Sequence, residues 1–283
     1  MKKRNRRRAV SALLLLLLAL AGFVYWDNNA LETERFELSS SRLPEAFDGF
    51  TVVQLSDLHG KEFGPENERL LAAVRAAEPD LIAVTGDLVD EHTDRPLEYA
   101  AGIGGALAEI APVYYVTGNH EWAARQAEDI CDALEGAGVT CLRNGTVPVE
   151  RSGARILVTG LDDPNAYADQ KTPEQVTQEL LEQYGENDFR LLLAHRNDRF
   201  ASEYYRLGYD LTLCGHAHGG VIRLPFTDGL LDTHQGFFPS YTDGFYTVEG
   251  SRLLVSRGLG NIFPSVRLFN RPEIVSLTLR RAD

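Results

Sequence analysis

Cysteine is scarce in this sequence, which has only Cys131, Cys141 and Cys214 among its 283 residues. A count that is both odd and small gives no disulfide framework, so an ordinary hydrophobic core must stabilise the fold. Hydrophobic residues make up 44% of the chain, which is typical of a globular protein with a sizeable core. Two roles stay open for Cys131 and Cys141: a bridge in an oxidising compartment, or buried thiols that pack as small apolar side chains.

Positive charge is also scarce once the N-terminus is set aside. Residues 1–8 hold six of the 28 Lys and Arg residues, which leaves 22 basic residues against 41 acidic ones in the rest of the chain. Binding to a nucleic-acid backbone requires a positive face. We therefore expect no specific nucleic-acid binding, although the sequence leaves a local basic patch open.

Charge is absent from residues 9–26, an apolar run that includes six consecutive leucines at 13–18. As a helix this run would be about 27 Å long, close to the thickness of a bilayer core. The basic residues before it predict a cytoplasmic N-terminus and an extracytoplasmic body. A signal peptide cleaved at the A-x-A-like site at 19–21, giving a secreted protein, is the alternative. We favour a single-pass anchor in the cell membrane because the apolar run continues past that site.

The remainder of the chain divides into a polar segment at 27–49 and a regular region at 50–283. We interpret residues 1–26 as the basic segment with its anchor, residues 27–49 as a stalk with one edge strand at 33–38, and residues 50–283 as the catalytic domain. In the first half of that domain, apolar runs typical of buried strands alternate with helical patterns, which predicts a parallel α/β sheet. The strands are expected at 50–56, 80–85, 112–117 and 139–142, and the helices at 65–77, 97–110 and 124–134.

The second half of the domain contains more strands and fewer helices. A hairpin is predicted around residues 152–153, followed by a helix at 173–184. The remaining strands are expected at 189–194, 210–213, 244–249, 252–256 and 274–279, and the last three look antiparallel. The sequence therefore predicts one α/β domain with two β-rich halves and helices outside.

Polar side chains follow five of these predicted strands at the points where the strands end. In α/β sheets, ligands bind beyond the carboxyl ends of the strands. Five of the seven histidines of the chain fall in this set, so one crevice would collect imidazole, carboxylate and amide groups. The residues are Asp57 and His59; Asp87 and Asp90; Asn119, His120 and Glu121; His195; and His216 and His218.

These side chains are suited to binding metal ions. Neutral imidazole is the commonest protein ligand of transition metals, and His216 and His218 stand one residue apart in a glycine-rich turn. Histidines of a turn that bind no metal are the alternative for these two positions. Two divalent ions held by mixed oxygen and nitrogen ligands would suit hydrolysis by in-line displacement. Manganese, zinc and iron fit such a ligand set better than Cu(I) or calcium.

The polar blocks occur in the order D-x-H, G-D-x-x-D, G-N-H-[DE], H and G-H-x-H. In this order the chain resembles the calcineurin-like metallophosphoesterase superfamily over about residues 45–280. Residues 215–225, 256–260 and 271–274 look like its bacterial, membrane-anchored phosphodiesterase branch. The resemblance implies a four-layer α/β/β/α sandwich. It also implies a phosphoric ester hydrolase, in which a metal-bridging hydroxide attacks a phosphodiester or pyrophosphate, with a lipid-linked or a nucleotide substrate left open.

The resemblance also implies a role for each residue of the blocks. His120 would face the scissile phosphate as general acid or as a group that stabilises charge. Asp90 would orient a ligand or cap a turn, and Glu121 stands where an aspartate is common, which could alter how His120 is held. The first metal would be held by Asp57, His59 and His218, the second by Asn119, His195 and His216, and Asp87 would bridge the two.

Several residues outside the blocks also have predicted roles. The loop at 223–246 carries Phe226, Leu230, Leu231, Phe237, Phe238 and Tyr241. Two interpretations of this loop stay open: it contacts lipid, which would suit a lipid-linked substrate, or its side chains pack the domain. We expect His92 and His234 to be solvated loop residues and Cys214 to lie in the core. The candidates for binding a further phosphate or carboxylate are Arg196, Arg223 and Arg257.

Two other functions compete with a phosphoesterase. A binuclear hydrolase of another bond, such as a metallo-β-lactamase-like enzyme, would favour an H-x-H-x-D-H cluster, which the sequence lacks. A catalytically inactive, metal-stabilised scaffold or binding protein of the envelope would not need a general acid, and the presence of His120 argues against it.

Overall fold

The structure of the protein is a computed structural model that describes residues 2–223, 229–232, 235–261 and 266–282. We number its elements in chain order. The helices are α1 (Lys2–Asn29), α2 (Glu68–Ala76), α3 (Pro96–Ala108), α4 (Asn119–Ala123), α5 (Ala127–Gly136) and α6 (Pro173–Tyr184). The first strands are β1 (Glu32–Ser40), β2 (Thr51–Leu55), β3 (Leu81–Thr85), β4 (Val113–Val116), β5 (Thr140–Cys141), β6 (Gly145–Arg151) and β7 (Ala154–Gly160). They are followed by β8 (Phe189–Arg196), β9 (Leu211–Gly215), β10 (Ile222–Arg223), β11 (Gly229–Asp232), β12 (Gly236–Phe237), β13 (Gly244–Val248), β14 (Ser251–Val255) and β15 (Glu273–Arg281).

Two six-stranded sheets form the centre of the domain. The strand order is β1-β15-β2-β3-β4-β5 in the first sheet and β13-β14-β9-β8-β7-β6 in the second. Strands β2 to β5 are parallel neighbours, and β7, β8 and β9 are parallel in the second sheet. The prediction of parallel strands joined by helices is therefore confirmed for the first half of the domain.

The two sheets pack face to face, with helices on both outer faces. Side chains alternate along a strand, so Val52 of β2 joins Phe189 and Leu191 of the second sheet in the inner core. Its neighbour Val53 points to the other face and packs with side chains of α2, α3 and α5. On the far side of the second sheet, Val176 and other residues of α6 cover β7 to β9. The predicted four-layer α/β/β/α sandwich is confirmed.

The C-terminal strands differ in part from the prediction. Strands β13 and β14 are antiparallel, as expected, but β14 pairs in parallel with β9. Strand β15 leaves this sheet and lies between β1 and β2 of the first sheet, parallel to β1 and antiparallel to β2. Its first five residues are buried, because one face meets the helices and the other meets the inner core. The expectation of antiparallel closing strands is therefore confirmed for β13 with β14 and for β15 with β2, but β14 and β15 each also pair in parallel with a second neighbour.

The helix predicted at 124–134 is present as α5, shifted to Ala127–Gly136, and a short helix that was not predicted precedes it. The short helix α4 begins at Asn119, directly after β4, and α5 follows from Ala127. The carboxylate of Glu121 accepts a hydrogen bond from the backbone amide of Gly118, at 2.9 Å, which satisfies a donor that the helix start leaves unpaired. The G-N-H-E block therefore begins a helix as well as following a strand.

The segment assigned as a stalk packs against the domain. Strand β1 lies at the edge of the first sheet, as predicted, and the side chains of Leu43 and Phe47 are fully buried. The division of the chain at residue 50 stays a prediction, and these contacts favour counting residues 32–49 with the domain. The three cysteines are free thiols, and Cys214 lies in the core as expected.

Helix α1 is long and apolar enough to cross a membrane. Residues 5–22 of this helix are exposed. Phe23 and Val24 are half-buried, and Asp27 and Asn28 are buried against the domain. The ring of Phe23 lies 5.2 Å from that of Phe269, between centroids. The helix therefore consists of an apolar part outside the domain and a last turn that packs on it.

Candidate metal centre

The polar residues that follow the strands meet at one edge of the two sheets. Asp57 follows β2, Asp87 follows β3 and Asn119 follows β4. These three strands are parallel neighbours in the first sheet. His195 belongs to the end of β8, and His216 follows β9 in the facing sheet. All of these side chains are buried, so the two sheets enclose the predicted ligands between them.

The first predicted ligand set lies on the side of β2. The Nε2 atoms of His59 and His218 are 3.2 Å apart, and His218 Nε2 lies 3.3 Å from Asp57 Oδ1. These three side chains offer ligand atoms that all lie within 4.8 Å of one another. Their arrangement could hold one ion, as the resemblance implies.

The second predicted set lies between β3 and the second sheet. His195 Nε2 is 3.1 Å from Asn119 Oδ1, 3.1 Å from His216 Nδ1 and 3.1 Å from Asp87 Oδ2. The outer nitrogen of His195, Nδ1, lies 2.8 Å from the carbonyl oxygen of Thr85. A carbonyl can only accept, so Nδ1 carries the proton and the inner nitrogen keeps a lone pair for a metal.

Asp87 lies between the two sets. Its Oδ2 atom is 3.1 Å from His195 Nε2 and 3.9 Å from His59 Nε2. Its other oxygen, Oδ1, accepts a hydrogen bond of 2.9 Å from the backbone amide of His120. Oδ2 itself is buried without a hydrogen-bond partner among the described residues. A buried carboxylate oxygen needs a partner, and divalent ions on both sides would supply one. The residues present therefore fit two metal ions.

The electrostatics of the cluster also favour bound positive charge. Burial alone would lower the pKa of His195, but the carboxylate of Asp87 raises it to about 10. Burial, together with the neighbouring His59, lowers the pKa of His218 well below its usual value. The carboxylate of Asp87 thus attracts a cation, and His218 stays in the neutral form that binds metals.

Close backbone packing explains the glycines of the blocks. A Cβ atom at Gly215 would clash with Ser56 and with the carboxylate of Asp57, and one at Gly118 would clash with Asp87. The ligand residues themselves adopt left-handed backbone angles, with φ of 53° at Asp57 and 51° at Asp87. Such angles cost roughly 1–3 kcal/mol each outside glycine. The surrounding structure must therefore stabilise these turns.

Glu121 supplies much of that stabilisation. Its buried carboxylate accepts hydrogen bonds from the amides of Leu88 at 2.6 Å and of Asp87 and Val89 at 3.2 Å, besides Gly118. The sequence suggested an effect on His120, whereas these contacts hold the turn that carries Asp87. Burial raises the pKa of Glu121 to about 7.

His120 lies at the edge of the cluster. Its ring is 4.8 Å from the ring of His59, between centroids, and perpendicular to it, and the side chain is half-buried. Burial lowers its pKa from the usual value. His120 is thus close to the ligands and reachable from outside, and its role in catalysis stays a prediction.

Asp90 contacts both its own turn and His59, and each of its two predicted roles requires one of these contacts. Its Oδ1 accepts hydrogen bonds from the His92 amide, at 2.9 Å, and from the Thr93 hydroxyl, at 3.0 Å. Its Oδ2 lies 3.5 Å from the outer nitrogen of His59, Nδ1. Asp90 therefore shapes its own turn and faces the side of His59 opposite the ligand cluster.

Of the three arginine candidates, Arg196 lies at the cluster. Its Nη1 atom is 3.1 Å from His216 Nε2, and its side chain is 17% exposed. Arg257 instead forms ion pairs with Glu32, Glu34 and Glu273, and Arg223 pairs with Asp243 at 2.8 Å. One further arginine was missed in the sequence: the fully buried Arg267, whose Nη2 atom lies 3.3 Å from His218 Nδ1.

The loop at 223–246 is mixed in character. Phe237 and Phe238 are 72% and 76% exposed, so their side chains do not pack the domain. Tyr241 packs against the domain beside Tyr246, with ring centroids 4.9 Å apart. Phe226 and His234 lie outside the described residues. His92 is exposed, as expected.

Comparison with known proteins agrees with this geometry. The family model for calcineurin-like phosphoesterases matches residues 50–220. The metallophosphoesterase YkuE of Bacillus subtilis is 27% identical over 299 residues, which cover 100% of both chains. The phosphodiesterase YaeI of Escherichia coli is 30% identical over 289 residues, which cover 97% of this chain and 99% of that protein.

A solved structure supports the same fold. The sulfate thiohydrolase SoxB of Thermus thermophilus superposes with a TM-score of 0.50 at 14% identity, covering 77% of this chain and 53% of that one. At this level of identity the likeness concerns the fold alone. From the family model, from the full-length relatives and from the order of its motif blocks, the chain belongs to the calcineurin-like phosphoesterase family.

Proposed function

We propose that the protein is a membrane-anchored phosphodiesterase or pyrophosphatase that uses two divalent metal ions, with manganese, zinc or iron as the candidates. The observation that carries the proposal is the position of Asp87 Oδ2, buried without a hydrogen-bond partner among the described residues and reaching toward both sets of inward-facing nitrogens. Bound ions would supply a hydroxide nucleophile at neutral pH and would offset the charge that develops on the phosphate.

The side chains of the chain itself would hold and orient the reactants. Asp57, His59 and His218 would bind one ion, and Asn119, His195 and His216 would bind the other, with Asp87 between them. His120, at the accessible edge of the cluster, would donate a proton to the leaving oxygen or stabilise its charge. Arg196, beside His216, would bind a non-bridging phosphate oxygen, for which its planar donor geometry is well suited.

A diester or pyrophosphate is the preferred substrate class. The relative YaeI of E. coli is named a phosphodiesterase, and it matches this chain over nearly its full length. The alternatives of an inactive scaffold and of a hydrolase for another bond are outcomes of the tests below.

The proposed location is the outer side of the cell membrane. Six basic residues precede the apolar part of α1, and such clusters remain in the cytoplasm. The membrane would then contain the exposed part of the helix, and the domain would begin where Phe23 meets Phe269. Cleavage of a signal at 19–21 would instead release the domain.

A lipid-linked substrate would suit this arrangement. From residue 22 the helix needs about 9 Å to reach Asn28, and the bilayer surface would therefore lie close to residues 266–270. Val266 and Phe269 are 50% and 45% exposed there. Strands β10, β11 and β12 form a third, three-stranded sheet, called the small sheet below. Leu268 bridges to its β10, and Phe237 of β12 is roughly three strand spacings, or 15 Å, from Leu268. Phe237 and Phe238 would contact the bilayer and keep the metal centre at its surface.

The first prediction concerns hydrolysis of bis-p-nitrophenyl phosphate by the full chain in detergent. Metal-stripped protein should regain turnover with Mn²⁺, Zn²⁺ or Fe²⁺, since the ions supply the nucleophile. Asp87→Ala should abolish that turnover, and His120→Ala should reduce kcat at least about 100-fold, the usual contribution of a general acid. His92→Ala is the matched control, because His92 is an exposed histidine outside the cluster, and should leave the rate unchanged.

An absence of hydrolysis would contradict the proposal. A folded chain that carries two metal ions and hydrolyses neither this diester nor a pyrophosphate would contradict the phosphoesterase and favour the two alternatives, a metal-stabilised scaffold or a hydrolase of another bond.

The second prediction concerns topology. Alkaline phosphatase fused after residue 283 should be active in cells, because that enzyme folds only outside the cytoplasm. Green fluorescent protein fused at the same position should not fluoresce, because it would be exported to the same side. A fluorescent fusion with an inactive phosphatase fusion would place the domain in the cytoplasm and rule out the proposed location.

The third prediction concerns the small sheet. The full chain in vesicles should hydrolyse a nitrophenyl phosphodiester of a long-chain alcohol at least about 10-fold more slowly in a Phe237→Ser/Phe238→Ser variant, since burying one phenylalanine contributes ~1.5–3 kcal/mol. The soluble diester carries the same reactive group, and its hydrolysis should not change. Leu97→Ser, an exposed apolar residue of α3, serves as control. A double variant that hydrolyses both substrates at the wild-type rates would exclude the lipid contact.

A further inference from the structure

We propose that the last turn of α1 is a structural part of the metal centre, because two of its residues hold the segment that positions His218. This inference rests on the proposed metal site, but it does not require a phosphodiesterase activity. It assigns to Asp27 and Asn28, which directly follow the apolar run, a positioning role that neither the motif blocks nor the family model covers.

Asn28 forms the first link. Its side-chain amide donates to the backbone oxygen of Arg267 at 2.8 Å, and its Oδ1 accepts from the backbone amide of Arg267 at 2.9 Å. The same Oδ1 accepts from Asn261 Nδ2 at 2.7 Å. Asn28 is buried, and 239 residues separate it from Arg267 in the sequence. A buried amide with three long-range bonds fixes the backbone at Arg267 relative to the helix.

The side chain of Arg267 then reaches the first ligand set. Its guanidinium donates to the Gly260 oxygen at 2.7 and 3.0 Å and to Asn261 Oδ1 at 3.0 Å. Its Nη2 atom lies 3.3 Å from His218 Nδ1, on the edge of the ring opposite the Nε2 atom that faces His59. The guanidinium therefore packs against the outer edge of the imidazole and restricts movement of the ring away from His59.

Asp27 forms a second, separate link to the same histidine. Its carboxylate accepts a hydrogen bond of 3.2 Å from the backbone amide of Asn270. The side-chain amide of Asn270 donates to the backbone oxygens of His218 at 2.7 Å and of Val221 at 3.1 Å. The first link thus supports the ring of His218, and the second supports its backbone.

The backbone of His218 needs such support. It adopts φ of 47°, and Val221 three residues later adopts φ of 41°, both in the left-handed region that non-glycine residues avoid. Without the two hydrogen bonds from Asn270, this turn would relax toward ordinary angles and turn the His218 ring away from Asp57. Removing groups that orient metal ligands typically weakens metal binding about 10–100-fold.

The last turn also packs through other contacts, so it is held as a unit. The ring of Trp26 stacks with the Arg271 guanidinium at 5.0 Å, and the ammonium of Lys61 donates to the Asn28 backbone oxygen. Lys61 lies two residues after the ligand His59. The helix end therefore contacts both segments that flank the first ligand set. A displacement of α1 would therefore also displace the residues of the first ligand set.

The test measures Mn²⁺ binding by the full chain in detergent, using calorimetry for affinity and electron paramagnetic resonance for the coupling of the two ions. The wild type should bind about two ions and give the spectrum of a spin-coupled pair. Asn28→Ala should lower the affinity for one of the two ions at least about 10-fold. At limiting Mn²⁺ this variant should give the spectrum of a single, uncoupled ion. Asn28→Asp keeps the two acceptor contacts but turns an oxygen toward the Val24 and Arg267 carbonyls in place of the donating amide, so it should also weaken the binding of one ion about 10-fold.

Asn29→Ala is the matched control, because that amide donates within the helix to the Tyr25 oxygen, and it should behave as the wild type. Circular dichroism establishes that each variant is folded; if Asn28→Ala unfolds, Asn28→Asp decides. Wild-type affinity and a coupled spectrum in the folded Asn28 variants would overturn this inference alone. A wild-type chain that binds no Mn²⁺, Zn²⁺ or Fe²⁺ would overturn the proposed metal site and this inference with it.

Discussion

The metal centre depends on one constraint: buried imidazole and carboxylate groups face one another at about 3 Å between two sheets. Lone pairs that point into the same small volume repel each other, and burial removes the water that would screen them. The raised pKa of His195 expresses the same demand for positive charge. Two divalent ions would satisfy this demand, and the fold holds the proposed ligands in position for them.

The two sheets supply that arrangement through their parallel strands. Because β2, β3 and β4 run in one direction, Asp57, Asp87 and Asn119 emerge at one edge, and β8 and β9 bring two histidines to the facing edge. The turns that follow are strained. They are stabilised from behind by Glu121 of α4, next to the first sheet, and by residues 267–270 beside the second. Ligand geometry is therefore a property of both sheets and of the helix end that holds the last segment.

The sequence predicted which of these side chains lie close together, because that information is local. Each block follows its own strand, and parallel strands must place their ends together. The path of β15 was not predictable in the same way, since an apolar strand carries no mark of which sheet it joins. The role of Asn28 was also hidden: the apolar run before it indicated a membrane segment, and its partner Arg267 lies 239 residues away. Contacts of that range leave no spacing in the chain that could reveal them.

The most direct test of the account is a crystal structure of the full chain grown with Mn²⁺, with anomalous diffraction recorded to locate the ions. The account predicts two peaks about 3.5–4 Å apart, one bound by Asp57, His59 and His218 and the other by Asn119, His195 and His216. The carboxylate of Asp87 should lie between them. A single peak elsewhere on the chain, or no peak from protein that remains folded, would contradict the central claim that this sheet edge is a binuclear metal centre.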